Sequence, residues 1–173
     1  MKIYAETERL ILRELLPDDV NGILELDSDP EVHRYLGNTT INTTEESSNI
    51  ITHIRNQYTK NGIGRWAVIE KETGLFMGWS GLKLITTPTN NHINYYDLGY
   101  RLIKKYWGKG YATESALASI DYAFKQLNVN EIYAIADVNN QASIRILEKV
   151  GLKRIEIFDY GGVPHYWLKL EKQ

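Results

Sequence analysis

Trp107-Gly108-Lys109-Gly110-Tyr111-Ala112 reads as a loop between a strand and a helix. Glycines there let successive amides point one way with no Cβ in their path, and the helix adds the positive end of its dipole. The product is an anion nest suited to a pyrophosphate. Lys104, Lys105 and Lys109 add local positive charge. The spacing is that of neither a P-loop nor the Gly-x-Gly-x-x-Gly dinucleotide fingerprint. Taken alone, the cluster reads equally well as a glycine-rich turn. Two carboxylates stand on either side of it. Asp97 lies on the polar face of the preceding strand, in line with Gly99. Glu114 lies in the first helical turn, where the dipole stabilises an acid in any case. There is no cysteine, hence no thiol nucleophile and no thiolate metal site. His33, His53, His92 and His165 show no ligand spacing, so no metal is expected.

The elements that must position these groups follow from periodicity and punctuation. Thr7 to Arg13 alternates as a half-buried strand. Pro17 with Asp18 and Asp19 opens a short helix that Asp29-Pro30 breaks. Thr43 and Glu46 form a capping box, starting a helix through Ile50, Ile51, Ile54 and Tyr58 that ends before Gly62. Arg65 to Glu70 and Phe76 to Ile85 flank the turn signal Lys71-Glu72-Thr73-Gly74. Ile93 to Ile103 is a strand with Tyr96, Leu98, Tyr100 and Leu102 on one face and Tyr95, Asp97, Gly99 and Arg101 on the other. Gly110 to Leu127 is a helix with Leu117, Ile120, Phe124 and Leu127 at helical spacing. Glu131 to Val138 is a strand, and Asn140 to Val150 a helix stopped at Gly151. Ile155 to Tyr160 and His165 to Leu170 close a hairpin around Gly161-Gly162. The pattern predicts one mixed α/β domain spanning residues 1–173, with about seven strands and four helices.

Composition agrees: 43% hydrophobic and 24% charged residues in 173 suit one globular core. No apolar run approaches the ~20 residues of a membrane helix, and Met1 to Arg13 lacks the apolar stretch of a signal peptide. A cytoplasmic location is expected, with neither membrane nor nucleic acid as partner; a homodimer stays open. Charge is uneven. Residues 1–50 hold four bases and eleven acids, a net of −7, while the remainder holds sixteen bases and eleven acids, a net of +5. Either this is a solvated acidic surface, or the acidic segment, including Asp27, Asp29 and Glu31, draws a cationic ligand while the later half holds an anion.

The wider succession is more specific than the loop. Asp97-Leu98-Gly99-Tyr100-Arg101-Leu102 precedes Tyr106 to Glu114; about thirty residues on come Asn140-Gln141-Ala142-Ser143 and then Leu147-Glu148-Lys149-Val150-Gly151-Leu152. This order resembles the GNAT N-acetyltransferases, and within them the branch of ribosomal-protein N-terminal acetyltransferases. Glu8-Arg9-Leu10-Ile11-Leu12-Arg13 and Met77-Gly78-Trp79-Ser80-Gly81-Leu82 resemble that branch too, so the likeness covers nearly the whole chain. It implies a splayed, mostly antiparallel sheet that takes the pantetheine arm of acetyl-CoA between its fourth and fifth strands. It also implies a pyrophosphate on the amides after Trp107, and an amine acceptor, either a protein N-terminus or a small molecule. Cofactor contacts are then expected from Leu98, Gly99, Tyr100, Trp107, Gly108, Lys109, Gly110, Tyr111, Ala112, Thr113, Asn140 and Ser143. Where the family usually begins the loop with Gln or Arg, this chain has Trp107; Gly110 and Ala112 match.

Acetyl transfer to an amine requires loss of an amine proton, donors for the developing oxyanion, and a thiolate leaving group stabilised by a donor. It requires no covalent enzyme intermediate. Asp97 is the first candidate base, acting through water; otherwise it is a strand carboxylate paired with Arg101. Glu114 is the second carboxylate, with a structural role favoured. The backbone near Leu98 or Gly99 would serve the carbonyl oxygen if the strand bulges there; otherwise Gly99 is a packing glycine. Leu147 stands where many relatives carry a donor tyrosine; the resembling branch implies instead a serine three residues after the asparagine, here Ser143, as hydrogen-bond donor to sulfur, or else Ser143 makes only a local backbone bond at the start of its helix. Asn140 would bond pantetheine, cap its helix, or do both. Tyr35, Tyr58, Trp66, Trp79, Tyr95 and Tyr160 are core or acceptor-cleft residues. Two other readings stay open: a CoA-binding protein without turnover, and a nucleotide-binding domain.

Overall fold

The computed structural model describes residues 1–173. Its strands are β1 (Ile3–Glu6), β2 (Leu10–Glu14), β3 (Trp66–Glu70), β4 (Phe76–Ile85), β5 (Tyr95–Leu102), β6 (Glu131–Asp137), β7 (Lys153–Tyr160) and β8 (Val163–Glu171). Its helices are α1 (Val20–Asp27), α2 (Thr44–Asn61), α3 (Tyr111–Lys125) and α4 (Gln141–Lys149); single 3₁₀ turns at Pro17–Asp19 and Lys104–Tyr106 precede α1 and the glycine loop. One sheet runs in the order β1-β2-β3-β4-β5-β6-β8-β7. The mixed, mostly antiparallel α/β architecture with four helices is as the sequence predicts. There are eight strands rather than seven because β1, only four residues long, is too short to show an alternation. The strand read from Thr7 starts instead at Leu10, and the Thr7 amide bonds the Leu10 carbonyl across the β1–β2 turn.

Local signals act as read. The Thr43 hydroxyl accepts the Glu46 amide at 3.2 Å, and Glu46 reaches back to the Asn42 amide, so two amides at the start of α2 are satisfied reciprocally. Gly62 ends that helix in the left-handed region at φ 72°, where a Cβ would be strained. In α3 the apolar stripe is shifted from the prediction. Ser115, Ala116, Ser119, Ile120 and Ala123 are buried, whereas Leu117 is half exposed. Small residues there let the helix lie close on the sheet, and the Ser115 hydroxyl donates to that of Ser80 at 2.9 Å.

Helices cover both faces. Alternation along β3, β4 and β5 turns Trp66, Ser80, Leu82, Leu98 and Tyr100 toward α3, and Trp79, Lys83, Asp97 and Arg101 toward α1 and α2. Leu10, Leu12, Ile23, Leu26, Ile51, Met77 and Leu82 are almost wholly excluded from water, each contributing roughly 1.5–3 kcal/mol.

The feature that matters for function is a discontinuity. β4 and β5 pair without interruption from Gly78↔Leu102 to Ile85↔Tyr95. β5 and β6, the only parallel neighbours, share a single register pair, Asp97↔Tyr133. Past it the strands part, leaving a wedge bounded by the carboxyl ends of β5 and β6 and by α4. The unbroken β4–β5 register also shows no bulge at Leu98 or Gly99, contrary to one expectation.

Candidate active site

The glycine loop closes the wide end of the wedge. Gly108 and Gly110 both sit in the left-handed region, at φ 72° and 83°. These turns bring six successive amides, Gly108 to Thr113, to the start of α3 with no intramolecular acceptor; the first helical bond is from Glu114 to the Gly110 carbonyl. Helix starts leave such donors free, and here the fifteen-residue α3 adds its dipole. Trp107 is 44% exposed, with its indole nitrogen donating to the Leu102 carbonyl at 2.8 Å. It closes the turn and brings no charge.

Charge comes instead from a residue about a hundred positions earlier. Arg9 leaves β2, covers the ring of Tyr111 and donates to the Lys109 carbonyl at 2.9 Å. It is held there by Glu114. That carboxylate accepts from the Thr7 hydroxyl at 2.6 Å, the Arg9 amide at 2.9 Å and the Arg9 side chain at 2.7 Å. Burial pushes the Glu114 carboxyl upward, but these bonds outweigh it, so its pKa lies below the ordinary value. With its oxygens committed, Glu114 is a staple between the chain start and the loop. A lowered pKa means its stabilising contribution is present above the unfolded-state value, 4.5, and is lost as pH falls through the folded-state value. Glu114→Gln is therefore expected to lower stability by about 1–2 kcal/mol at neutral pH, with the difference shrinking in acid. Urea unfolding at pH 7 and pH 3 measures it, and an unchanged difference would remove the ionic role.

Along the wedge, Asn140 caps α4, its side-chain oxygen accepting the Ser143 amide at 3.3 Å. The Ser143 hydroxyl lies 3.1 Å from that of Tyr100, which also donates to the Ser143 carbonyl. Burial pushes the Tyr100 phenol up to about 12, despite its bond with Ser143, so it stays protonated. Tyr100 thus meets Ser143, next to the Asn140 cap, across the gap.

Asp97 stands where the two strands separate, on the side of α1 and α2. It does not pair with Arg101. Four residues along a strand is roughly 13 Å, too far for a bond even on one face. Its partner is Arg65, at 2.6 Å, and the same guanidinium donates to the carbonyls of Gly81 and Asp97. Arg65 lies flat over Gly99, where a Cβ would meet it at 2.9 Å, so Gly99 is a packing glycine. Burial raises the Asp97 carboxyl above its ordinary value; Arg65 and Lys83 pull it back only in part. The second carboxylate oxygen has no protein partner.

Beyond Arg65 and Lys83, the two cations next to Asp97, opens a cleft of about 520 Å³ between the sheet and α2, lined among others by Arg65, Trp79, Lys83, Arg101 and Gln57; Asp97 itself is not part of its wall. Of the six aromatics singled out by sequence, only Trp79 lines it. Trp66 is buried beneath α3, stacked on Tyr4, and Tyr58 bonds the backbone of Leu15 and Arg65. Arg101 pairs with Asp27, 1% exposed, whose same oxygen takes His33 at 2.9 Å. Asp27 is buried in this network through one oxygen, its other oxygen having no protein partner, and it is no surface attractant, which removes one member of the acidic segment expected to draw a cation. Arg65 and Lys83 are functional candidates that the sequence does not single out, and Asp27 and Arg101, read there in other roles, form a pair with each other. Nothing local marks the ion pairs, since Arg65 lies 32 residues from Asp97 and Asp27 lies 74 from Arg101.

A splayed sheet with an amide nest beyond its gap and a buried carboxylate at its mouth defines a class, the acyl-CoA-dependent transferases. Residues 9–153 match the family model for the acetyltransferase (GNAT) domain, and the chain belongs to that family. It is 31% identical over 148 residues to an uncharacterized N-acetyltransferase, p20, of Bacillus licheniformis, covering 86% of this chain and 81% of the relative. A GNAT-family acetyltransferase from Bacillus anthracis superimposes with a TM-score of 0.80 at 26% identity, covering 99% of this chain and 98% of the other. RimL, a ribosomal L7/L12 alpha-N-protein acetyltransferase in complex with coenzyme A, shares the fold at a TM-score of 0.83 and 16% identity, covering 98% of each chain.

Proposed function

We propose that this chain transfers the acetyl group of acetyl-CoA to a primary amine by direct attack in a ternary complex. The observation that carries it is the wedge between β5 and β6, which runs from the free amides of Gly108–Thr113 to the buried carboxylate of Asp97. The residues present fit the cofactor. A Cβ added at Gly108 would meet nothing, and the six amides have no acceptor within the protein, as an anion site at a helix start requires. Those amides, with Trp107 and Lys109 beside them, hold the pyrophosphate; Leu98, Gly99 and Tyr100 on one side and Asn140 and Ser143 on the other line the pantetheine.

In the reaction a C–N bond forms, the C–S bond breaks, and the amine proton leaves toward the unpaired oxygen of Asp97. Raised basicity suits Asp97 to this task, since a general base works best with a pKa near the working pH. The departing sulfur takes a hydrogen bond from Ser143, whose hydroxyl Tyr100 positions. Holding both substrates in one cleft lowers the entropic part of the barrier. The test is an amine library incubated with acetyl-CoA, read by free thiol and product mass. Stoichiometric thiol and N-acetyl product are expected. CoA binding without thiol release from any amine would reassign the chain as a CoA-binding protein without turnover.

A further inference from the structure

The cleft beyond Arg65 and Lys83 holds a charge arrangement that the transfer reaction alone does not call for. Three basic side chains, Arg65, Lys83 and Arg101, line one part-buried space. Two are compensated: Arg65 by Asp97 at 2.6 Å, and Arg101 by Asp27 at 2.8 Å. Both guanidiniums also lie over the ring of Trp79, at 5.2 and 4.9 Å, which fixes them in place. Lys83 has no ion pair and no hydrogen-bond partner in the protein. It is half-buried, and burial and the neighbouring Arg65 push its pKa below the ordinary value. An ammonium kept in such a place without a partner is costly unless something arrives to pair with it. Polar atoms are left unmet nearby as well: Arg101 Nε, Gln57 Oε1 and Asp27 Oδ2 are buried without partners. Unmet groups of both signs in one wall call for an explanation, which a ligand carrying both signs would supply.

Position narrows the ligand. Lys83 and Asp97 are direct register partners on β4 and β5, with side chains on one face, so their Cβ atoms stand roughly 5 Å apart. One member of the pair is an anion with a free oxygen, at the place where the acetyl carbon would be attacked. The other is an uncompensated cation. We propose that this pair reads the two ends of a zwitterion, and that the acetyl acceptor is a small α-amino carboxylate, its amine at Asp97 and its carboxylate at Lys83. The assignment rests on the acetyltransferase reading above. The single cation without a partner fits the one carboxylate of such a zwitterion and would leave a phosphate dianion half unpaired. A polyamine would bring its second cation against Lys83, and a peptide N-terminus would present an amide there.

The experiment compares matched pairs, serine with serinamide and methionine with methioninamide, together with spermidine, in the thiol-release assay. The amides carry the more acidic ammonium and so more free amine at neutral pH; chemistry alone favours them. The wild type is expected to prefer the acids by at least about tenfold in kcat/KM, as a buried charged partner left unpaired by the amide dictates. Lys83→Met should bring the acid-to-amide ratio close to one, chiefly through KM for the acids, and Lys83→Arg should restore most of it; CoA affinity and the unfolding midpoint report that both variants are folded. Equal or better use of the amides or of spermidine by the wild type overturns the proposal, as does an undiminished ratio in Lys83→Met. Calorimetry of the same pairs on the CoA-saturated protein separates the two readings. If no amine releases thiol but the acids bind more tightly than the amides, the transfer reading fails and the zwitterion site stands. If the pairs bind alike, the site fails.

Discussion

Gly110→Asp is expected to abolish coenzyme A binding at ordinary working concentrations, raising Kd by about a hundredfold or more. Three effects act in one direction. Gly110 sits at φ 83°, which an aspartate adopts only under strain. A new Cβ meets Arg9 Nη2 at 3.3 Å, so the added carboxylate faces the guanidinium that braces the loop and competes for it. Above all, a fixed negative charge enters the run of six unpaired amides, where a pyrophosphate would have to sit. Calorimetry with CoA on the variant, its fold verified by its circular dichroism, measures the effect. Undiminished affinity would show that the pyrophosphate lies elsewhere. Because Gly110 opens a helix rather than filling the core, the loss should come without unfolding.

Asp97→Asn should lower kcat/KM by about two to three orders of magnitude below neutral pH, with a smaller deficit in alkali, where solvent base and free amine take over part of the task. Coenzyme A affinity should hardly move, since the loop lies at the other end of the wedge. Stability gives an independent control. The folded-state pKa of Asp97 is raised above the ordinary 3.8. For such a group the stabilising contribution is complete below the unfolded-state value and is lost as pH rises through the folded one. At neutral pH the ionised carboxylate therefore costs stability, so Asn, which can still accept from Arg65, should unfold no earlier than Asp. The advantage should disappear in acid. Activity lost in parallel at every pH, with an earlier unfolding midpoint, would make Asp97 a structural partner of Arg65 only.

The parts of this molecule legible in its sequence are those governed by near neighbours. The capping box of α2, the Gly74 and Gly161-Gly162 turns, the Asn140 cap and the glycine loop each state their geometry within a few residues. Alternation along β5 correctly put Asp97 and Arg101 on one face. It could not say what faces them, and the inferred Asp97–Arg101 pair was wrong because periodicity carries no account of reach. The true partners, Arg65 for Asp97 and Asp27 for Arg101, lie 32 and 74 residues away and meet only once β3, β4 and α1 are assembled. Likewise, nothing local to Trp107, which stands where the family usually has Gln or Arg, shows that Arg9 reaches the loop. Strand β1 stayed hidden for the opposite reason: four residues are too few for a period to declare itself.

The staple between Glu114 and Arg9 spans 105 residues of chain. Local turns form early and cheaply, but a contact of that separation must wait for the intervening meander to assemble, so the loop at the head of α3 takes its braced shape late in folding. On the ribosome, β2 emerges long before the helix it will anchor. Competence to hold the cofactor is then acquired only when the first strands and the central helix have met, and a chain stalled or misassembled before that step presents no finished nest. Cofactor capture would in effect inspect the topology of the molecule as well as the identity of its residues.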